Sequence, residues 1–239
     1  WFATQAFNVS SHYDTAIFNY FAESVEVSAY KESINDGKVL RYGENPHQKG
    51  EFFGDLDAIF DQLNGKELSY NNLVDVDAAV NLIDEFKGET AVAILKHNNA
   101  CGMSTASTLK EAYLTALASD PISAFGGVII ATKEIDLATA EELNKLFFEV
   151  LIAPSYSDEA LELLKSKKNR ILLVRKEVAL PSKQIKTLLN GVIRQDKDLS
   201  IELAKDFTTV TKRQPTATEI NAMVFANKVC KHTKSNAII

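Results

Sequence analysis

Ala91-Val92-Ala93-Ile94-Leu95 is an unbroken apolar run of strand length, and it hands the chain to Lys96-His97-Asn98-Asn99-Ala100-Cys101-Gly102. A run this short between polar segments reads as a fully buried strand. From Ser104 to Leu117 the apolar spacing turns helical, so the pattern predicts a strand followed by a helix. A cation, an imidazole and two amides then sit at the carboxyl end of a strand. In an open α/β sheet that end is where ligands bind.

Downstream the alternation continues. Leu109, Ala112, Tyr113, Ala116 and Leu117 define the buried face of a helix over 108–118, which Pro121 ends. A strand follows at 127–131, a helix at 137–147, a strand at 149–153, a helix at 158–167 and a strand at 171–175. Strand and helix in turn predict a layered α/β domain with a largely parallel sheet. From 181 to 214 polar residues dominate and the pattern weakens, which suggests a subdomain junction or connecting excursion. Residues 216–231 read as a helix carrying Ile220, Met223, Val224 and Ala226, and Ser235-Asn236 opens a last strand.

Upstream, Leu73, Val76, Ala79, Val80 and Ile83 form an apolar stripe over 71–86, with Asn71 or Asn72 available as a cap. Near the start, Tyr13, Ala16, Ile17, Tyr20 and Phe21 recur at helical spacing, with Ser11 and Asp14 as an N-terminal cap. Val25, Val27 and Ala29 alternate with Glu26 and Ser28 as in a half-buried strand. Asn35-Asp36-Gly37 supplies turn chemistry before Val39-Leu40, which delivers 41–48 into a loop.

At 239 residues the chain can bury a sizeable core, in one large domain or two smaller ones. A net charge of −6 argues against a general nucleic-acid coat, although an anionic ligand needs only a local basic cluster. Cys101 and Cys230 lack metal-ligand spacing and secretory context, so reduced thiols in a cytoplasmic protein are expected. No apolar run approaches the ~20 residues of a membrane span. With no initiator Met and an apolar ending at Ala237-Ile238-Ile239, both ends read as cuts through a longer polypeptide.

Four stretches hold residues suited to chemistry. Lys96 and His97 form one candidate pair, because a histidine side chain can accept a proton and a neighbouring lysine ammonium can stabilise developing negative charge. Taken alone, the pair is better explained by a solvated strand end, with His97 hydrogen-bonded to a nearby carbonyl. Arg41 offers a planar fork for phosphate, Tyr42 can stack or donate, and Gly43 permits close backbone approach; a plain surface loop would carry the same residues. Asp120 to Gly127 is a turn with paired glycines and an aromatic, Phe125, able to pack on a flat ligand. The basic residues from Lys231 onward suit a helix C-terminus by dipole alone.

A zinc deaminase would need H-x-E and P-C-x-x-C. His97 is followed by Asn98-Asn99 and Cys101 has no second cysteine nearby, so no metal is expected. A Walker loop and G-x-G-x-x-G are also missing, which leaves nothing for a nucleoside triphosphatase or a dinucleotide dehydrogenase.

Read together, Leu40-Arg41-Tyr42-Gly43-Glu44-Asn45-Pro46-His47-Gln48, Tyr70-Asn71-Asn72-Leu73, Lys96-His97-Asn98-Asn99-Ala100-Cys101-Gly102 and Asp120-Pro121-Ile122-Ser123-Ala124-Phe125-Gly126-Gly127 resemble one family, in family order. It is the bifunctional purine biosynthesis family, which joins an AICAR transformylase to an IMP cyclohydrolase. Residues 1–23 resemble the tail of the cyclohydrolase domain, 24–185 a first transformylase subdomain, and 186–239 a connection and the start of the second. The resemblance implies a layered α/β/α, cytidine-deaminase-like domain with a mixed, mostly parallel sheet, cut before the second repeat is complete.

The implied reaction is formyl transfer from 10-formyltetrahydrofolate to the 5-amino group of AICAR. By the same resemblance Lys96, His97 and Asn236 are catalytic. Arg41, Tyr42, Gly126 and Glu149 bind substrate, and Ile122 and Phe125 face the folate. Glu149 stands where some members carry Asp. A cytoplasmic homodimer with sites at its interface is implied, with no nucleic acid, membrane or catalytic metal. The cyclohydrolase residues would lie upstream of this chain. The competing readings are a non-catalytic nucleotide- or folate-binding module and a dimerisation fragment.

Overall fold

The structure, a computed structural model, describes residues 1–237. In chain order the first half comprises α1 (Phe2–Ala22), β1 (Gly37–Leu40), β2 (Gly50–Phe53), β3 (Phe60–Asn64), α2 (Tyr70–Ile83), β4 (Ala91–Lys96) and β5 (Asn99–Thr105). Then come α3 (Leu109–Ser119), β6 (Val128–Ala131), α4 (Leu137–Leu143), β7 (Val150–Ala153), α5 (Asp158–Lys165), β8 (Ile171–Arg175), β9 (Lys183–Leu188), β10 (Gly191–Asp196) and α6 (Ala217–Lys231).

Six strands form one sheet in the order β3-β8-β7-β6-β4-β5, with helices on both faces. On one face α2 lays Val76, Ala79, Val80 and Ile83 against Ala93, Leu95, Ile130 and Ile152. On the other, α3, α4 and α5 lay Ala112, Tyr113, Leu143 and Leu164 against Ile94, Ile129, Leu151 and Leu172. Burial from both sides is why β4, β6 and β7 are unbroken apolar runs. Each large aliphatic side chain buried there contributes about 1.5–3 kcal/mol. The layered α/β/α architecture with a mixed sheet is the one expected.

The strand directions carry a correction. The chain does not run from β4 into a helix; it turns straight back into β5, with Lys96 paired to Asn99. β4 is antiparallel to both β5 and β6, and β3 to β8, so that two of the five ladders, β6 with β7 and β7 with β8, are parallel where a mostly parallel sheet was expected. Leu95 lies opposite Val128, which is level with Val150 and then Ile171. The Lys96 end of β4 therefore adjoins the amino ends of the three parallel strands, not their carboxyl ends. β5 is short of large residues because it runs tight under α3, where a Cβ on Gly102 would stand 1.9 Å from the Ala116 carbonyl oxygen.

Other expectations shift as well. Ser69, not Asn71 or Asn72, caps α2, and Asn72 returns the bond to complete a capping box. Ser11 is interior to α1, which starts at Phe2 and buries none of its residues. Residues 25–29 form no strand. The polar stretch after 181 holds the exposed β9–β10 hairpin. Ser235 and Asn236 form a bend, and the rest of the expected last strand, Ile238 and Ile239, lies outside the described residues.

Beyond the hairpin, α6 docks by its C-terminal half. Phe225 packs on Phe86 with ring centroids 5.3 Å apart, and Lys228 meets Glu89 at 2.9 Å. Lys231 and His232 both reach Glu85, at 2.7 and 2.9 Å. This fixes where the chain carrying Asn236 emerges.

Candidate active site

The β4–β5 turn consists of His97 and Asn98, with φ of 55° and 64°. Two positive values across a two-residue connection make the type I′ hairpin turn, whose twist suits the paired strands. Neither residue is glycine, so the left-handed conformation costs roughly 1–2 kcal/mol at each position. Asp75, one turn into α2, offsets this by accepting the Asn98 backbone N–H at 2.7 Å. With its nitrogen turned toward the surrounding acceptors, the Asn98 carboxamide also donates to Asp75 Oδ1 at 2.9 Å and Val74 O at 3.2 Å.

Lys96 is half-buried, and its Nζ donates to Phe125 O at 2.8 Å. The ammonium is thus aimed along the sheet end toward the glycine turn. His97 is exposed. Asn99 donates from Nδ2 to His97 O at 3.1 Å and accepts at Oδ1 from the Lys234 N–H at 3.2 Å. That second bond brings the segment containing Asn236 to the turn. Cys101 is half-buried with Sγ 3.4 Å from Ile94 O, and burial pushes its thiol pKa up, away from reactivity.

Gly126 has φ of 74° and donates its N–H to Phe147 O at 2.8 Å. Next to it, Gly127 leaves no room for a side chain, since a Cβ would stand 2.8 Å from Leu95 O. Ser123 holds the preceding turn through its hydroxyl and its N–H, and these bonds keep the Asp120 carboxyl below its usual pKa. Ile122 is 86% exposed, Phe125 57% and Phe147 53%. Phe125 and Phe147 pack as tilted rings with centroids 5.2 Å apart. An apolar shelf thus borders the Lys96 ammonium.

Glu149 precedes β7, accepting from Asn72 Nδ2 at 3.0 Å and facing Lys66 Nζ at 3.5 Å. Its N–H donates to Gly127 O, so it sits in register with the glycine turn. Arg41 and Tyr42 are held to each other, with Nη2 donating to the phenol oxygen at 2.9 Å. Their loop closes through Gly43 N–H on Gln48 O at 2.8 Å, and Asn71 Nδ2 ties it to α2 through Glu44 O at 3.0 Å.

The first turns of α2 join these parts. Asn71 holds the Arg41 loop, Asn72 holds Glu149 and Asp75 holds the turn after Lys96. The structure therefore brings Lys96, His97, Phe125, Gly126 and Glu149 into one continuous sheet end, with Asn236 two residues from a direct bond to it. Arg41 and Tyr42 reach it through α2 alone. Sequence reading missed Asp75, Phe147 and the double role of Asn99. Asp75 lies one helical turn after Asn71, which was the available signal.

A cavity of about 390 Å³ lies elsewhere, beneath the β1–β2 hairpin against Phe60 and Leu173. A second, of about 1180 Å³, is lined by Phe207, Ile220 and Met223 and extends to Cys230 and Ala237. Neither includes Lys96 or His97. Among the described residues no group of three His, Cys, Asp or Glu side chains is placed to hold a metal ion, and no helix is long and apolar enough to cross a membrane.

A family model described as the AICARFT/IMPCHase bienzyme matches residues 1–239. The chain belongs to this family. A relative from Bacteroides thetaiotaomicron, named bifunctional purine biosynthesis protein PurH, is 61% identical over 239 residues, which is 100% of this chain and 47% of the relative. Proteins of the same name from Brucella anthropi and Chlorobium chlorochromatii are 45% and 43% identical over 99% of this chain and 46% and 48% of their own lengths. The chain spans about half the length of these curated relatives. Within the family match lie all the motifs assembled at the sheet end.

Proposed function

We propose that this chain contributes the formyl-transfer centre of a bifunctional purine biosynthesis enzyme, moving a formyl group from 10-formyltetrahydrofolate to the 5-amino group of AICAR. The observation that carries the reading is the convergence of the Lys96-His97 turn, the Phe125-Gly126 turn and the Lys234 segment on one end of the sheet. Family membership supports it.

The amine of AICAR is conjugated to the imidazole carboxamide and is a weak nucleophile, so the centre must orient it and take its proton. In our reading the amine nitrogen attacks the formyl carbon, forming the new C–N bond, while the carbonyl electron pair moves to oxygen. The Lys96 ammonium, which keeps N–H donors beyond the one on Phe125 O, stabilises that oxyanion. His97 takes the amine proton. Collapse breaks the bond to N10 of the folate, which leaves with the proton that His97 took from the amine, and Asn236 orients the reacting groups by hydrogen bonding.

Arg41 and Tyr42 hold the anionic part of AICAR, and Gly126 and Glu149 line its ring. Ile122 and Phe125, extended by Phe147, offer the flat folate an apolar shelf. We further propose the division into 1–23, 24–185 and 186–239, a cytoplasmic homodimer that completes each site, and operation within a longer polypeptide. The test is mass-spectrometric detection of formyl-AICAR after the full-length protein is mixed with AICAR and 10-formyltetrahydrofolate. AICAR binding without product would reduce the role to ligand binding, and a folded protein showing neither would overturn the proposal.

A further inference from the structure

The Asn99 carboxamide faces two ways, donating to His97 O at 3.1 Å and accepting from Lys234 N–H at 3.2 Å. Its backbone is fixed as the first residue of β5, opposite Lys96. Lys234 is fixed independently. Lys231 and His232 are anchored on Glu85, and Thr233 Oγ1 donates to Val229 O at 3.0 Å. Two separately anchored parts of the molecule, the β4–β5 hairpin and the end of α6, thus meet at this bond. Among the described residues, the Asn99 to Lys234 bond is the one hydrogen bond joining the hairpin to residues 232–237.

We propose that Asn99 is a positioning residue, setting the His97 turn and the segment bearing Asn236 at the spacing formyl transfer requires. The inference rests on the formyl-transfer reading and deepens it. Only a carboxamide of this length supplies a donor on one arm and an acceptor on the other. A carboxylate here keeps the acceptor for Lys234 but turns an oxygen toward the His97 carbonyl. A methyl group keeps neither bond. The substrate-binding residues hang on other supports, Arg41 and Tyr42 on α2 and Gly126 on Phe147 O. Loosening Asn99 therefore disturbs the alignment of reacting groups more than the capture of AICAR.

The experiment compares wild type, Asn99→Ala and Asn99→Asp in the full-length protein, reading formyl-transfer kinetics and amide exchange of Lys234 by NMR. Asn99→Ala is expected to lower kcat about thirtyfold while KM for AICAR stays within about twofold. Its Lys234 amide exchanges about fivefold faster. In Asn99→Asp the Lys234 amide keeps its protection, yet kcat still falls about tenfold because the arm to His97 is lost. A kcat for Asn99→Ala within twofold of wild type overturns the proposal, as does an unchanged Lys234 exchange rate or a loss confined to KM. An inactive wild type whose Lys234 amide still responds to Asn99→Ala overturns the formyl-transfer reading, and the catalytic half of this proposal with it.

Discussion

Removing Asp75 tests how the β4–β5 turn is held. Two non-glycine residues there sit at positive φ, a combined cost of roughly 2–4 kcal/mol that the folded chain must offset. Asp75 accepts the Asn98 N–H at 2.7 Å and its carboxamide at 2.9 Å, and a hydrogen bond to a charged group contributes about 1.5–3 kcal/mol. Asp75→Ala is therefore expected to lower stability by about 1.5–3 kcal/mol. With an m-value of ~2–3 kcal/mol/M, the urea midpoint drops by roughly 0.5–1.5 M at unchanged m. Adding Asn98→Gly relieves the backbone strain and should return about 1 kcal/mol. A loss below about 0.5 kcal/mol for Asp75→Ala, or no recovery in the double variant, would refute the idea that strain at this turn is balanced by the carboxylate.

Further outcomes follow from other contacts. Gly102→Ala, whose new Cβ meets the Ala116 carbonyl oxygen at 1.9 Å, should cost about 3 kcal/mol or more by thermal melting, because backbone on both sides must shift. Arg170 is 5% exposed, lies 4.3 Å from the Phe148 ring, and donates to Asn144 Oδ1 and Leu164 O at 3.0 and 3.3 Å. Truncating it to Ala should lower stability by about 2–3 kcal/mol in urea unfolding. Asp84 titrates below the usual carboxylate range: burial alone would raise it, but the two-pronged bond from Arg175 at 2.7 and 2.9 Å prevails. A depressed folded-state pKa gives stability that is full above the unfolded value near ~3.9 and is lost as pH falls through the folded value. Between pH 5 and 2, roughly spanning that window, wild type should lose more stability than Asp84→Asn. Phe147→Ala should weaken folate binding about tenfold by calorimetry while leaving AICAR binding unchanged.

The strands readable in the sequence are those buried on both faces, since β4, β6, β7 and β8 appear as apolar runs. Those on the sheet edge or outside it left weaker marks. β3 exposes Asp61 and Gln62, β5 is built of small residues beneath α3, and β9 and β10 are exposed throughout. Missing β5 had a directional consequence, because one unseen reversal inverts β4 relative to the strands that follow. The turn itself was half-legible. Asn98 and His97 are both of residue types that enter the left-handed region more often than most, but nothing in the sequence marks the two as a two-residue hairpin turn.

For the candidate site the motifs were local and the convergence was not. Lys96-His97 and Phe125-Gly126 are each visible as short stretches, but the bond from Lys96 Nζ to Phe125 O depends on β4 lying beside β6. Asn71 was visible as a capping residue, yet its role is to hold the Arg41 loop. Asp75 reads as an ordinary polar residue, and Asn99 as one amide of the Lys96–Gly102 motif, until register and helix docking place their partners.

The most direct measurement of the central claim is the kcat of AICAR-dependent formyl transfer for wild type and His97→Ala in the full-length protein, with urea midpoints recorded for both. The account predicts a loss on the order of a hundredfold or more with the midpoint unchanged, since an exposed His97 supplies a proton acceptor and no packing. Turnover within about twofold of wild type would remove His97 from the chemistry and contradict the assignment of this sheet end as the formyl-transfer centre.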